Sequence, residues 1–293
     1  SIDNYGTVAL GAGQVLENAG TLSLSGTITG DVTNTNDFTV DGATANVSGT
    51  LTNLPTGTAT IGSDFAAGDI ANSGDFDLNS GTTTVTGGTT NNGGTFDIAD
   101  GATIDTTGVF STRNAGALTT IDGTVQGNAN ALDSGGIDLN STGSITGDLL
   151  VDDASADLAG NVDGNLINRN GGDVDVTGSM ILGGNLTNQA VLDVTGLGTV
   201  MTVTGTGSNS LGGALTIADG SELSLGTLVN TGGGSVATVN GTLTGDTTNL
   251  DGGQLIVNTG GTVTGAVRNS ADFELAGGAA GSLVNLDGTS DIT

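Results

Sequence analysis

One repeated phrase constrains this chain more than anything else in it. The phrase is Asn/Asp-x-Gly/Ala-x-Φ-x-Φ, where Φ is apolar. It opens at Asn4 before Val8 and Leu10, and at Asn18 before Leu22 and Leu24. It returns at Asn72 before Phe76 and Leu78, and at Asn92 before Phe96 and Ile98. Further copies begin at Asp133, Asn170, Asn188, Asp251 and Asn269. Degenerate copies start near Asn34, Asn53, Asn114, Asp153, Leu211, Asn230 and Asp287. Sixteen starts between Asn4 and Asp287 give a mean interval of about 19 residues. A fixed period of this size is the mark of a solenoid or array, in which each unit buries its apolar face only against the next.

A second phrase, Gly-x-Φ-x-Gly, lies inside the unit. It occurs at Gly26–Gly30, Gly123–Gly127, Gly143–Gly147, Gly160–Gly164, Gly241–Gly245 and Gly261–Gly265. Each unit therefore holds two or three short alternating strands with Gly-rich corners. Period-2 alternation sends Φ to one face and Thr, Asp or Ser to the other. No window carries the 3.6-residue period of an amphipathic helix. If each unit is one turn of a coil, like residues stack about 4.8 Å apart in parallel strands.

The expected fold is thus all-β: a single right-handed parallel β-helix of about 16 rungs of about 19 residues, spanning 1–293 as one domain. Sixteen such turns would make a rod on the order of 75 Å long. A left-handed hexapeptide helix would need a six-residue sub-period, which is not found. A sandwich or barrel would want hairpin signals at shorter spacing. The recurrent corner Asn predicts an internal amide ladder, each side chain bonding the next. Phe76 and Phe96 are expected to stack in adjacent turns. The longer intervals at 92–114 and 188–211 predict enlarged corner loops.

Composition narrows the chemistry. The net charge is -28, and of 31 acids only Glu17, Glu222 and Glu274 are Glu. There are three Arg and no Lys, His or Cys. High charge with few aromatics also suits a disordered chain, but the regular placement of Φ argues for a packed one. Nucleic acid is excluded as a partner at this charge. No 18-residue apolar run exists, so no membrane insertion is expected. The N-terminus has neither a charged n-region nor an apolar h-region, so no signal peptide is read there.

The runs Asn72-Ser-Gly-Asp-Phe-Asp-Leu-Asn-Ser-Gly and Asn92-Gly-Gly-Thr-Phe-Asp-Ile-Ala-Asp-Gly-Ala resemble the passenger repeats of bacterial autotransporters. They are also similar to repeats of filamentous-haemagglutinin-type secreted adhesins. The resemblance covers nearly the whole chain. It implies a right-handed β-helix exported across a Gram-negative envelope and serving adhesion, with a host or neighbouring cell surface as partner. The expected function is a non-enzymatic, extracellular structural or adhesive β-helix, the stalk or fibre of a bacterial surface protein. The outer-membrane barrel of an autotransporter is not found in the sequence.

Two other readings stay open. Neither end carries a polar or helical cap, which solenoids use to shield open strand edges. That implies a segment of a longer protein, or end-to-end self-association of the uncapped terminal rungs into a filament or S-layer-like array. The third reading is a polysaccharide-acting enzyme. Asp77 and Asp97 share one phase of the repeat, as do Asp175 and Asp193, with Asp138 and Glu274 alongside. Stacked near 5 Å, two carboxylates meet the spacing of a retaining glycosidase pair. A solvated outward row is the simpler account. The same four residues, Asp77, Asp97, Asp175 and Asp193, are the candidate metal ligands. No cofactor is expected beyond weakly held Ca²⁺, which takes carboxylate oxygens. Arg113, Arg169 and Arg268 each precede an Asn at what reads as one corner, and are expected to balance nearby Asp. Outward Thr pairs such as Thr242 with Thr244 and Thr262 with Thr264 raise ice binding as a further, thinly supported reading.

Overall fold

The computed structural model describes residues 2–11, 13–42 and 44–293. Among them there is no helix. They form a parallel β-solenoid of about fifteen turns of roughly 19 residues. It is described as two compact units, Ser1–Gly147 and Asp148–Thr293.

In each unit a turn carries up to three short strands, which define three faces. The turn at the centre of the first unit shows the plan: Asp75–Leu78 on the first face, Thr82–Val85 on the second, Thr89–Asn92 on the third. In other turns the second and third strands run together through a bend, as in Thr103–Arg113. The first face of the first unit holds eight parallel strands, from Ile2–Asn4 to Gly136–Leu139. The first face of the second unit holds another eight, from Ser155–Leu158 to Thr289–Ile292.

Register follows the repeat. Phe76 lies opposite Phe96, and Leu78 opposite Ile98. Val174 lies opposite Leu192, and Val176 opposite Val194. All eight of these side chains are buried. The expected aromatic stack is present: the Phe76 and Phe96 ring centroids are 4.4 Å apart and the rings nearly parallel. Phe110, from the third face, meets Phe96 edge-on at 5.1 Å. Each turn is too small to bury this surface alone, so apolar burial and the parallel ladder form together.

The predicted amide ladder is also present, in two runs. In the first unit, Nδ2 of Asn18, Asn34, Asn53 and Asn72 donates to Oδ1 of Asn34, Asn53, Asn72 and Asn91 in turn, at 2.7–2.9 Å. In the second unit the run is Asn168, Asn188, Asn209, Asn230, Asn249, Asn269 and Asn285, at 2.8–3.1 Å. Nδ2 also reaches backbone carbonyls: for Asn72 these are Gly74 O at 3.0 Å and Thr95 O at 2.7 Å. A buried carboxamide must have partners, and this corner supplies them from the next turn.

The membership of the ladder corrects the expectation. Asn92, Asn114, Asn170, Leu211 and Asp251 open copies of the repeat phrase but are exposed. The buried ladder residues are Asn91, Asn168, Asn209 and Asn249, one or two positions earlier. The cause is that two corner types share one phrase. In the short corner, Asn72-Ser-Gly74, the ladder Asn opens the phrase and Gly74 N–H donates to its Oδ1 at 3.3 Å. In the long corner, Asn168-Arg-Asn170-Gly-Gly172, Asn170 sits in the left-handed region at φ 54°. A β-turn closes there, with Gly172 N–H donating to Arg169 O at 3.0 Å. Asp251 (φ 54°) and Leu211 (φ 53°) hold the same place, while Asn114 (φ 69°) opens its turn, its carbonyl accepting from Ala117 N–H at 3.0 Å. Asn and Asp tolerate that conformation; Leu does not, and Leu211 is 76% exposed.

The ladder is interrupted. Thr112 takes the place opposite Asn91, and Ala131 the place opposite Thr112. Asn91 Nδ2 keeps its carbonyl partners, Gly94 O and Leu118 O at 2.9 Å, and meets Thr119 Oγ1 at 3.3 Å in place of an amide. In the second unit Val151 lies opposite Asn168. With no amide there to donate to it, Asn168 Oδ1 is buried without a partner.

Glycine is required where turns touch. A Cβ on Gly94 would lie 2.1 Å from Gly74 O. The enlarged corner expected within 188–211 is Thr195–Thr199, where Leu197 is 94% exposed.

Candidate functional site

A second side-chain column runs along the corner between the second and third faces. Thr50 N–H donates to Asp31 Oδ1 at 2.8 Å, Gly88 N–H to Asp69 Oδ1 at 2.8 Å, and Ala266 N–H to Asp246 Oδ1 at 2.9 Å. In the second unit, Asn165 N–H donates to Asp148 Oδ1, Asn185 N–H to Asn165 Oδ1 and Thr206 N–H to Asn185 Oδ1, at 2.7–3.0 Å. Every acceptor follows a glycine: Gly30, Gly68, Gly245, Gly147, Gly164 and Gly184. The signal in the sequence was the Gly-Asp/Asn pair, which closes the Gly-x-Φ-x-Gly phrase at Gly30, Gly147, Gly164 and Gly245 and stands without it at Gly68 and Gly184. The column uses these acids and amides to satisfy backbone N–H groups at the bend, with a charge-assisted bond where the acceptor is Asp.

The candidate carboxylates lie on the first face. Asp77 is in register with Asp97. Asp157, Asp175 and Asp193 lie in register on three successive turns. All point outward, between two buried apolar side chains of their own strand. Partial burial pushes the Asp77 carboxyl above its ordinary value of 3.8, and the charges of Asp97 and then Asp75 push it further. Asp175 is raised for the same reasons: burial first, then Asp173, Asp157 and Asp193. Like charges in a row hold protons more tightly. Asp138 and Glu274 hold the matching place on their own strands. Asp138 lies in register with Thr120, while Glu274 lies between Ile256 on one side and Asp291, a further carboxylate, on the other. Among the described residues no group of three or more His, Cys, Asp or Glu converges to hold a metal ion.

The arginines fall into two positions rather than one. Arg113 and Arg169 follow a ladder place and precede a left-handed corner residue. Arg268 precedes the ladder residue Asn269 and points outward on the third face. Arg169 balances an acid as expected, with Nε and a terminal nitrogen each 2.9 Å from Asp152 Oδ2. Arg113 lies opposite Asn92, and its Nε is buried without a partner.

Two shallow grooves open on the second face. One, of about 260 Å³, lies among Asn161, Ser179, Met180, Ile181, Val200 and Thr202. The other, of about 240 Å³, lies among Asn46, Ser48, Ala66, Ala67, Gly68 and Thr86. Neither lining includes an acid or a base. The outward Thr pairs form no uniform array on this face: Thr242 and Thr244 follow Glu222 and Ser224, which follow Val200 and Thr202.

Fold and surface together define a β-solenoid repeat protein. No protein-family model matches the chain, and no curated protein matches it. Among solved structures, the crystal structure of a TibA 55–350 fragment, hyper-glycosylated by TibC, aligns over 98% of both chains at 18% identity and a TM-score of 0.34.

Proposed function

We propose that this chain is a non-enzymatic structural and adhesive β-solenoid, the stalk or fibre of a protein on the outside of a Gram-negative cell. The observation that carries the reading is the pair of buried Asn runs. They commit one polar side chain per turn to tying that turn to the next, which suits an element that bears load and holds its faces flat. The outward rows are short polar side chains repeated turn after turn. They offer many equivalent weak contacts to a host or neighbouring cell surface rather than one deep site. The lack of Cys fits an exported chain that avoids disulfide mispairing.

An enzymatic reading has little support. A glycosidase flanks the scissile bond with an acid and a second carboxylate across a cleft. Asp77 and Asp97 instead stand side by side on one outward face, as do Asp175 and Asp193. Their mutual repulsion fits a solvated row, and any Ca²⁺ held there would be weak.

End-to-end self-association is the second reading. Each inner turn pairs in parallel on both of its edges, as Asp75–Leu78 does with Thr58–Ile61 and Thr95–Ile98, and the same pairing would join one copy to the next in a contact that does not close.

The experiment is to image the purified chain by negative stain and to measure the retention of chain-coated beads on cell layers. Separate particles with bead retention above an uncoated control support the stalk reading. Long fibres of uniform width support self-association. Separate particles on beads that no surface retains would refute adhesion.

A further inference from the structure

The sequence contains three Asn–Gly pairs: Asn92–Gly93, Asn170–Gly171 and Asn240–Gly241. None involves a ladder residue. In order, the ladder residues of the first unit precede Ala19, Thr35, Leu54, Ser73 and Asn92. Those of the second precede Arg169, Gln189, Ser210, Thr231, Leu250, Ser270 and Leu286. We infer that Asn92 and Asn170 are sites of spontaneous deamidation, and that the fold protects Asn240 and both ladder runs from it.

The chemistry is self-contained. The backbone nitrogen of the following residue attacks the Asn Cγ. A new N–C bond forms, the Cγ–Nδ2 bond breaks, and ammonia leaves with the proton from the attacking nitrogen. Water then adds to one carbonyl of the succinimide and opens it to aspartate or isoaspartate. The rate depends on whether the attacking N–H is unencumbered, whether the next residue is small, and whether the carboxamide can turn.

At Asn92 and Asn170 the attacking N–H is unencumbered and the next residue is small. Both residues are exposed. A Cβ at Gly93 would meet nothing within 4 Å, and one at Gly171 only Asp153 Oδ1 at 3.6 Å. Among the described residues, neither Gly93 nor Gly171 donates its N–H to a carbonyl of another turn. The Asn92 side chain accepts from Asn114 Nδ2, and Asn170 Nδ2 donates to Asp152 Oδ1 at 2.8 Å. Each is a single surface contact.

At Asn240 the attacking N–H is encumbered although the dipeptide is the same. Gly241 N–H donates to Ile217 O at 3.0 Å. Its Cα is wedged so that a Cβ would lie 2.2 Å from Ala218 O. Asn240 Oδ1 accepts from Asn258 Nδ2 at 2.8 Å, as Asn92 Oδ1 does from Asn114 Nδ2, so the difference between the two sites lies in the backbone N–H.

In the ladder the attacking groups are tied up by the ladder residues of the preceding turn. Thr35, Leu54 and Ser73 donate their N–H to the carbonyls of Asn18, Asn34 and Asn53 at 2.7–2.9 Å. Gln189, Ser210, Ser270 and Leu286 do the same to Asn168, Asn188, Asn249 and Asn269 at 2.8–2.9 Å. At position 170 the product carboxylate would face Asp152, turning a hydrogen bond into a like-charge contact beside Arg169.

The test incubates the folded chain in mildly alkaline buffer and maps peptides by mass spectrometry, with enzymatic methyl transfer to mark isoaspartate. A second sample is incubated in denaturant. In the folded chain, modification should accumulate at Asn92 and Asn170. Asn240 should lag by at least about fivefold, the factor one net hydrogen bond is worth. Asn34 and Asn72 should stay intact. In denaturant the three Asn–Gly pairs should converge. Equal rates at Asn240 in the folded chain would overturn the inference. So would a lag that survives denaturation, no modification at Asn92 or Asn170, or ladder residues reacting first.

Discussion

The ring of Phe76 lies flat on that of Phe96 one turn away, with centroids 4.4 Å apart and planes inclined by 9°. Both are fully buried, and Phe110 closes the cluster at the edge of Phe96. The solenoid interior is only one turn wide, so little else can collapse into a gap there. Phe96→Ala should cost about 3–5 kcal/mol, read as a fall in the midpoint of chemical denaturation. An unchanged midpoint would mean that the stack carries little of the local stability.

Asn72 both receives and extends the ladder, between Asn53 and Asn91. Asn72→Ala leaves Asn91 Oδ1 without its side-chain donor and takes an acceptor from Asn53. Each buried group left wanting costs about 1–3 kcal/mol. Asn72→Asp should be worse, because a carboxylate would face Gly74 O and Thr95 O with no proton to offer. Denaturation midpoints should therefore rank wild type, then Ala, then Asp. The reverse order for the two variants would show that the corner is held by shape alone.

Acid should relieve the carboxylate rows. Asp77 and Asp175 have folded-state values raised above 3.8. The folded chain therefore binds their protons more tightly than the unfolded chain. Below pH 3.8 both states are protonated and no penalty exists. The penalty develops as pH rises through the raised folded-state value, and is complete at neutral pH. Asp77→Asn and Asp175→Asn should each raise the melting temperature at neutral pH and leave it nearly unchanged in acid. Both sites are partly exposed, so the gain should stay below about 1 kcal/mol and shrink in concentrated salt. A variant less stable at neutral pH would show that these carboxylates are held by attraction.

Leu211 occupies a left-handed corner that Asn170 and Asp251 fill elsewhere at almost the same φ. Its side chain is exposed, so little packing offsets the backbone cost. Leu211→Asn should stabilise the chain by about 0.5–1 kcal/mol, measured by thermal melting. A loss of stability, or a loss of bead retention with stability intact, would instead mark Leu211 as a contact residue.

Period and phase alone were enough to read the turn, the inward rows and the Phe76–Phe96 stack, because parallel register brings like residues together. The ladder was legible as a column but not residue by residue. Asn92 and Asn170 carry the repeat phrase as fully as Asn72 does, yet they are surface turn residues beside the buried Asn91 and Asn168. Both corners need a residue that hydrogen-bonds its own backbone and a glycine soon after, and the phrase encodes that need rather than burial. The column at Asp31, Asp69 and Asp246 was written plainly as Gly-Asp, but its partners lie a turn away, and only the register reveals them. The interruptions at Thr112, Ala131 and Val151 leave no trace in the phrase, since a β-branched or small residue fits the same inward place.

Asn72 and Asn91 stand 19 residues apart, and each turn between them meets only the turn on either side. Length is therefore the property of this chain that can change most freely. Removing the segment from 73 to 91 would set Asn72 against Thr112, the partner Asn91 has now, and Thr58–Ile61 against Thr95–Ile98, with the pairings of the turns beyond left as they stand. A gene encoding such a chain can grow or shrink by slippage in whole turns, and any surface contact set by its reach can be tuned in steps of one turn without a new fold having to be found.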